Sequence, residues 1–454
     1  MNTGRLFILL ICITGTLCQN WEEIPSVNEP PTPTALGGMA AIDGKVYYFG
    51  GARECNGTGL VCVIDPCVNL FYNDLHSFDL QTQTWSYNID SSSPTKPSVR
   101  STFGYIGYPE RNLFLVYGGA TFEGEAEATC DDVFLGGLWA FNTVTKIWTL
   151  LDNPSDPNSP GARADASLLI YNDLVYLTCG LKSPGILEND VRTFNFTTNL
   201  WSVDNAGGNS PGLPAKRYHQ IAVVDDGCTH NDNEWYKCSG DHPCNRDNAR
   251  FIMAWGDNYL FGAIIPHIND IWQYTFSNKS WTLLEYGSKK ANYHVIAAIY
   301  NNKFLIAGGD VRPREFNVNL FITVGSKEVD GSAVIQLANG TQVLATTQNS
   351  EGNYIDPVTF FESATTQVHY VLDITPNGYT KDLQQVFPRI TAGEFKMSAF
   401  AMVTPKLLAV RGGYGFFCAK YAPRCEQDYL QNVYLVHLDD IPHTSSNFGS
   451  NGSY

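Results

Sequence analysis

Leu113-Phe114-Leu115-Val116-Tyr117-Gly118-Gly119 runs five apolar residues into a glycine pair; Gly137-Leu138-Trp139-Ala140-Phe141 follows, and Trp148 closes the phrase. The same order recurs along the chain. Small-residue pairs stand at Gly50-Gly51, Gly118-Gly119, Cys179-Gly180, Trp255-Gly256, Gly308-Gly309 and Gly412-Gly413, each after an apolar run. Trp85, Trp148, Trp201 and Trp281 each follow a second apolar run. Recurrence of this kind marks a modular array and decides the fold before any single motif does.

Each unit divides into four short strands. In the second they are Ser101 to Gly107, Leu113 to Tyr117, Gly137 to Phe141 and Lys146 to Leu150. Alternating apolar residues with Gly, Asn and Asp between runs are the signature of antiparallel strands. Phe78-Asp79, Phe141-Asn142, Phe194-Asn195 and Tyr274-Thr275 open a turn that reaches Trp six or seven residues later. The glycines let backbones crowd where a Cβ would clash, and Trp can bury a large area between sheets.

This ordered set resembles kelch repeats. The resemblance implies an all-β fold, a single β-propeller of four-stranded blades. Six or seven blades fit the spacing, with seven preferred. The stretch from Phe316 to Glu394 has no glycine pair, but Asn339-Gly340 sits between apolar runs as a hairpin turn. Val368 to Asp373 reads as a third strand. This stretch is either a worn seventh blade or an insertion in the fifth. The last repeat lacks a Trp, whereas Trp21 precedes the first strand; the N-terminal segment is therefore expected to supply the last blade's fourth strand and close the ring.

Residues 1–18 read as a secretory signal, with Arg5 before the apolar stretch Leu6 to Ile13. Residues 19–440 are assigned to the propeller and 441–454 to a polar tail. The signal's apolar core is too short to span a membrane, so the expected location is secreted and extracellular, with no membrane span. Sequons at Asn56, Asn195, Asn278, Asn339 and Asn451 agree with that route. Of 12 cysteines, Cys12 and Cys18 fall in the signal, which leaves ten. An even number in an oxidising compartment favours disulfides. The candidates are Cys55, Cys62, Cys67, Cys130, Cys228, Cys238, Cys244, Cys418 and Cys425, and Cys179 is left open as a possible single thiol. Net charge is −16 without a basic run, which argues against nucleic acid and anionic lipid surfaces.

Two sets of residues suggest chemistry. Arg100, Arg163 and Arg217 each stand just before a first strand. In a ring such positions converge near the channel, where guanidinium forks suit carboxylates; alternatively they pair with neighbouring acids and hold the ring together. His219 and His294, each after a tyrosine, resemble the ligands of the galactose-oxidase type of kelch protein, a copper enzyme, but a packing role competes. Histidines and cysteines between Asp225 and Asn248 lack zinc-knuckle spacing. There is no Glu-x-x-x-Asp-x-x-x-His run of the kind iron-dependent plant specifier proteins carry, and no Gly-x-Ser-x-Gly or His-Glu-x-x-His. No metal or other cofactor and no catalytic residue is expected. The reading is a module that binds an extracellular protein or glycan through long loops at Ala52 to Asn73, Ala120 to Gly136 and Tyr414 to Asn432. A copper-dependent oxidase and a structural coat or matrix component are the alternatives.

Overall fold

A computed structural model describes residues 21–53, 70–123, 131–152, 156–183, 186–207, 213, 215–216, 219–224, 249–256, 270–286, 292–293, 296–300, 303–307, 310–311, 332–336, 342–346, 369–375, 378–379, 384–386, 398–404, 406–417 and 426–438. Regular structure among them is all β apart from one 3-10 turn, Pro109–Arg111. No helix among the described residues is long and apolar enough to cross a membrane.

Five four-stranded antiparallel sheets form the blades of a propeller. The first holds Gly38–Ile42, Lys45–Phe49, Leu75–Asp79 and Thr84–Ser86. The second holds Gly104–Tyr108, Leu113–Tyr117, Leu138–Asn142 and Ile147–Leu150, within three residues of the boundaries read from sequence. The third is Ser167–Tyr171, Leu174–Ser183, Ile186–Asn195 and Leu200–Asn205; the fourth is Gln220–Val224, Arg250–Ala254, Asp270–Thr275 and Ser280–Tyr286. The last repeat contributes Ala399–Thr404, Leu407–Arg411 and Val433–His437, and the outer strand of that sheet is Trp21–Ile24. Trp21 lies opposite Val436 and Ile24 opposite Val433.

A sheet of five strands lies between the fourth and last repeats. Ile296–Tyr300 and Lys303–Ala307 pair in it with His369–Thr375, which also binds Gly378–Tyr379 and Gln384–Val386. The segment that sequence reads as a third strand therefore pairs with the second strand of the fifth repeat. Ser332–Gln336 and Gln342–Thr346 pair with each other around Asn339-Gly340 and, among the described residues, with no other strand.

The core lies between sheets, not within them. Phe49 and Leu75 of the first sheet pack on Phe114, Phe141 and Trp148 of the second, and Leu115 and Tyr117 pack on Phe194 and Trp201 of the third. Trp148 sits 5.0 Å from the Phe49 ring and Trp201 5.4 Å from Tyr117, so each tryptophan faces the preceding blade. Burying an indole this way removes on the order of 200 Å² from water. Its polar edge is satisfied as well. The Trp148 indole donates to Asp90 at 2.9 Å and the Trp201 indole to Asp152 at 3.1 Å. Both acids lie in the connector from the preceding sheet.

The glycine pairs join one blade to the next. Gly51 N–H donates to Arg100 O, Gly119 to Arg163 O, Gly180 to Lys216 O and Gly413 to Thr34 O, each at 2.9 Å. Each acceptor stands ahead of the next first strand. The geometry requires left-handed backbone: φ is +68° and +104° at Gly118 and Gly119. A Cβ on Gly118 would lie 2.2 Å from Arg163 O. Cys179 and Trp255 hold the first position at φ +54° and +52°, a conformation L-residues adopt at a cost of roughly 1–2 kcal/mol.

Candidate functional site

The long loops after the glycine pairs begin and end as paired strands, forming hairpin arms. Ala52–Arg53 pairs with Leu70–Phe71, Ala120–Glu123 with Asp131–Phe134 and Tyr414–Phe417 with Glu426–Tyr429. In the third repeat the second and third strands run on past Gly180, through a register shift, to Ser183 opposite Ile186. Three of the four arms are braced at their roots. Ala35 bridges Ala52, Ser101 bridges Ala120 and Ala164 bridges Leu181, each a mutual pair of backbone hydrogen bonds of 2.8–3.0 Å. Sequence reading placed these segments on the face of the second-to-third-strand connections but took them as loops. The alternation that would have signalled strands is short and interrupted by glycine and cysteine.

The arginines that sequence suggested as ligand clamps are built into the scaffold. Arg100 is 3% exposed. Its Nη1 donates to Gly118 O at 2.8 Å, and Nε and Nη2 donate to Ser98 O and Oγ. Burial pulls its pKa down to about 10, so it stays charged. Arg163 is 1% exposed. Its Nη1 donates to Cys179 O at 2.9 Å and to Asp190 Oδ1 at 2.8 Å, and Nη2 donates to Pro160 O. The two arginines thus do one job: each caps the carbonyl of the first residue of its own repeat's small pair. Burial opposes the charge on Arg163, but Asp190 outweighs it and raises the pKa. Asp190 is in turn held by Arg192 Nε at 2.6 Å and stays ionised, its pKa lowered by the two arginines against burial. Neither fork is free for a ligand. Arg217 lies outside the described residues.

His219 is also part of the packing. It is 1% exposed, its Nε2 lies 2.8 Å from Thr178 Oγ1, and its backbone carbonyl accepts from Ser167 Oγ. Burial, reinforced by the Lys216 ammonium, drives its pKa down to about 3, so the ring is neutral at pH 7. A base that resists protonation when folded stabilises the protein fully above its unfolded pKa of about 6.5 and progressively less as pH falls toward 3. Stability should therefore decline below pH 6.5, with this group contributing about 1.4 kcal/mol per pH unit. His219→Asn should make the pH 6 to pH 4 slope of urea-unfolding free energy shallower by that amount. Equal slopes would mean the ring titrates alike in both states. His294 lies outside the described residues.

Cys179 is the one cysteine among the described residues; it is free, fully buried, and its thiol pKa is pushed up to about 12 by burial. Such a thiol is inert. The other cysteine candidates, and Asn56, Asn339 and Asn451, lie outside the described residues. Asn195 and Asn278 sit in the turns between third and fourth strands, where each carboxamide oxygen accepts a backbone N–H two residues on. No group of three His, Cys, Asp or Glu among the described residues is arranged to hold a metal ion.

Comparison with known proteins agrees with this architecture. Residues 8–180 and 69–230 match the KLHDC2/KLHL20/DRC7 Kelch-repeats domain. An N-(sulfonatooxy)prop-2-enimidothioate sulfolyase of Thlaspi arvense is 26% identical over 194 residues, 41% of this chain and 49% of that protein. Kelch domain-containing protein 1 of Mus musculus is 26% identical over 192 residues, 40% of this chain and 44% of that protein. The chain thus matches about half the length of these relatives or less. The solved structure of YjhT superposes with a TM-score of 0.52 at 12% identity, covering 91% of this chain and 98% of that one, a likeness of fold. Sequence repeats, relatives and fold together support a kelch β-propeller.

Proposed function

We propose that this kelch β-propeller is a binding module that holds a protein partner on the face carrying the hairpin arms. The observation behind the reading is the common placement of the arms: all continue beyond the small pairs, on one face, and three of the four have roots braced by paired backbone hydrogen bonds. Rigid roots with variable tips are how a repeat scaffold presents different side chains without disturbing its core. The buried arginines play no part in contact with the partner. Replacing residues 121–133 by a two-residue turn should leave the thermal unfolding midpoint close to that of the parent and abolish partner capture. Capture that survives the trimming would refute the reading.

The ring on which the arms stand is a closed one of six blades. Three features support this: the pairing of Trp21–Ile24 with the last repeat, the contact of Ala399–Thr404 with Gly38–Ile42, and the Gly413-to-Thr34 hydrogen bond that repeats the other blade junctions. The module is secreted and glycosylated. Residues 1–18, the sequons and the even cysteine count support that assignment. Glycans on Asn195 and Asn278 would stand on the turns opposite the arms and leave the binding face open.

A further inference from the structure

A cavity of about 340 Å³ opens on the arm-bearing side of the first repeat, outside everything assigned so far. One wall is the segment from Glu29 to Thr34, which enters the first sheet; the other carries Tyr48, Tyr72, Asp74, His76 and Tyr87. The entering segment is firmly anchored. Asn28 makes two hydrogen bonds to the Trp85 backbone, at 2.7 and 2.9 Å. Tyr87 Oη donates to Glu29 O. Thr34 Oγ1 donates to Gly50 O at 2.7 Å, and Tyr48 Oη donates to Thr34 O at 2.7 Å. The cavity is therefore present before any ligand arrives.

Its chemistry is one-sided. Among the described residues, neither the Glu29 nor the Asp74 carboxylate has a hydrogen-bonded or ion-paired side chain. His76 stands edge-on to Tyr87 at 5.8 Å, and burial together with the Arg411 charge lowers its pKa to about 4, so it is neutral at pH 7. The nearby cations are engaged elsewhere. Lys96 lies 3.8 Å from Asp90 and donates to Asn73 O. Arg411 is fully buried beneath the Tyr48 and Trp85 rings, at 4.5 and 4.4 Å, and donates to Pro31 O. The Glu29 and Asp74 carboxylates line the cavity beside the half-buried Tyr72 ring and the exposed Tyr87 ring, an arrangement that favours a positive group and disfavours an anion.

We propose that this cavity receives one basic side chain, a lysine ammonium or an arginine guanidinium, from the protein bound on the arm-bearing face. The proposal rests on the binding reading above for its source, but its chemistry can be tested without a partner. The full chain would be titrated with Nα-acetyl-lysine amide, Nα-acetyl-arginine amide and the uncharged Nα-acetyl-norleucine amide, followed by NMR or calorimetry. Either or both basic amides should bind saturably and the norleucine amide much more weakly. Asp74→Asn should weaken the basic amides about tenfold, a change of about 1.4 kcal/mol, with an unaltered unfolding midpoint. Tyr72→Leu should weaken them by a smaller factor. Equal binding of the uncharged amide, no saturation by either basic amide, or full affinity in Asp74→Asn would overturn the proposal. If the cavity binds basic amides while arm-trimmed protein still captures its partner, only the arm reading fails; the reverse pattern sinks only the cavity.

Discussion

Gly118→Val is expected to lose about 2–5 kcal/mol of stability, enough to leave much of the protein unfolded or degraded. Two costs combine. A β-branched residue at φ +68° is held in the left-handed region, which costs about 1–2 kcal/mol. Its Cβ would also fall 2.2 Å from the carbonyl of Arg163 in the next repeat. That contact is to backbone, so relief means moving one blade against another, and overpacking adds about 1–3 kcal/mol. Gly44 separates the two costs, because its φ is +69° but a Cβ there meets nothing within 4 Å. Gly44→Ala should therefore lose only about 1–2 kcal/mol. Urea unfolding of both variants decides the matter. Similar losses would show that the glycine pair supplies conformational freedom alone and that the blades are not in close contact there.

Arg163→Met is expected to lose about 3–5 kcal/mol, through fold rather than through binding. The change strips a buried carboxylate of one partner, and removing one half of a buried ion pair costs about that much. It also leaves the Cys179 and Pro160 carbonyls without their donor. Arg192 still holds Asp190 at 2.6 Å, which places the loss toward the lower end. Arg111→Ala is the control. Arg111 pairs with Asp173, but both side chains are about two-fifths exposed, at 43% and 42%, and such pairs are worth less than about 1 kcal/mol. The opposite pattern, a stable Arg163→Met protein that no longer binds its partner, would return the arginine to the ligand site.

The arginines mark where sequence ceases to report on function. The positions of Arg100 and Arg163 ahead of the first strands were legible, but the depth of those positions was not. Strand heads converge toward the axis, yet the carbonyls of Gly118 and Cys179 also turn there, and they take the guanidinium groups before any ligand can. Repeat boundaries were legible because Trp and the glycine pair answer to local packing demands. The fate of the stretch from Phe316 to Glu394 was not. Which sheet His369–Thr375 joins depends on a partner strand more than sixty residues earlier, Lys303–Ala307, and no local pattern carries that choice. The cavity beneath Glu29 and Asp74 was invisible for the same reason, since its walls come from segments whose sequences name nothing in common.

If the repeats specify scaffold and the arms specify function, chemical cross-linking of the captured complex followed by mass spectrometry should separate them. Lys182 stands on an arm, 52% exposed. Lys45 and Lys279 stand at turns on the opposite side, 43% and 56% exposed. The account predicts partner cross-links to Lys182 and none to Lys45 or Lys279. Cross-links to Lys45 and Lys279 with Lys182 left unmodified by the partner would contradict it.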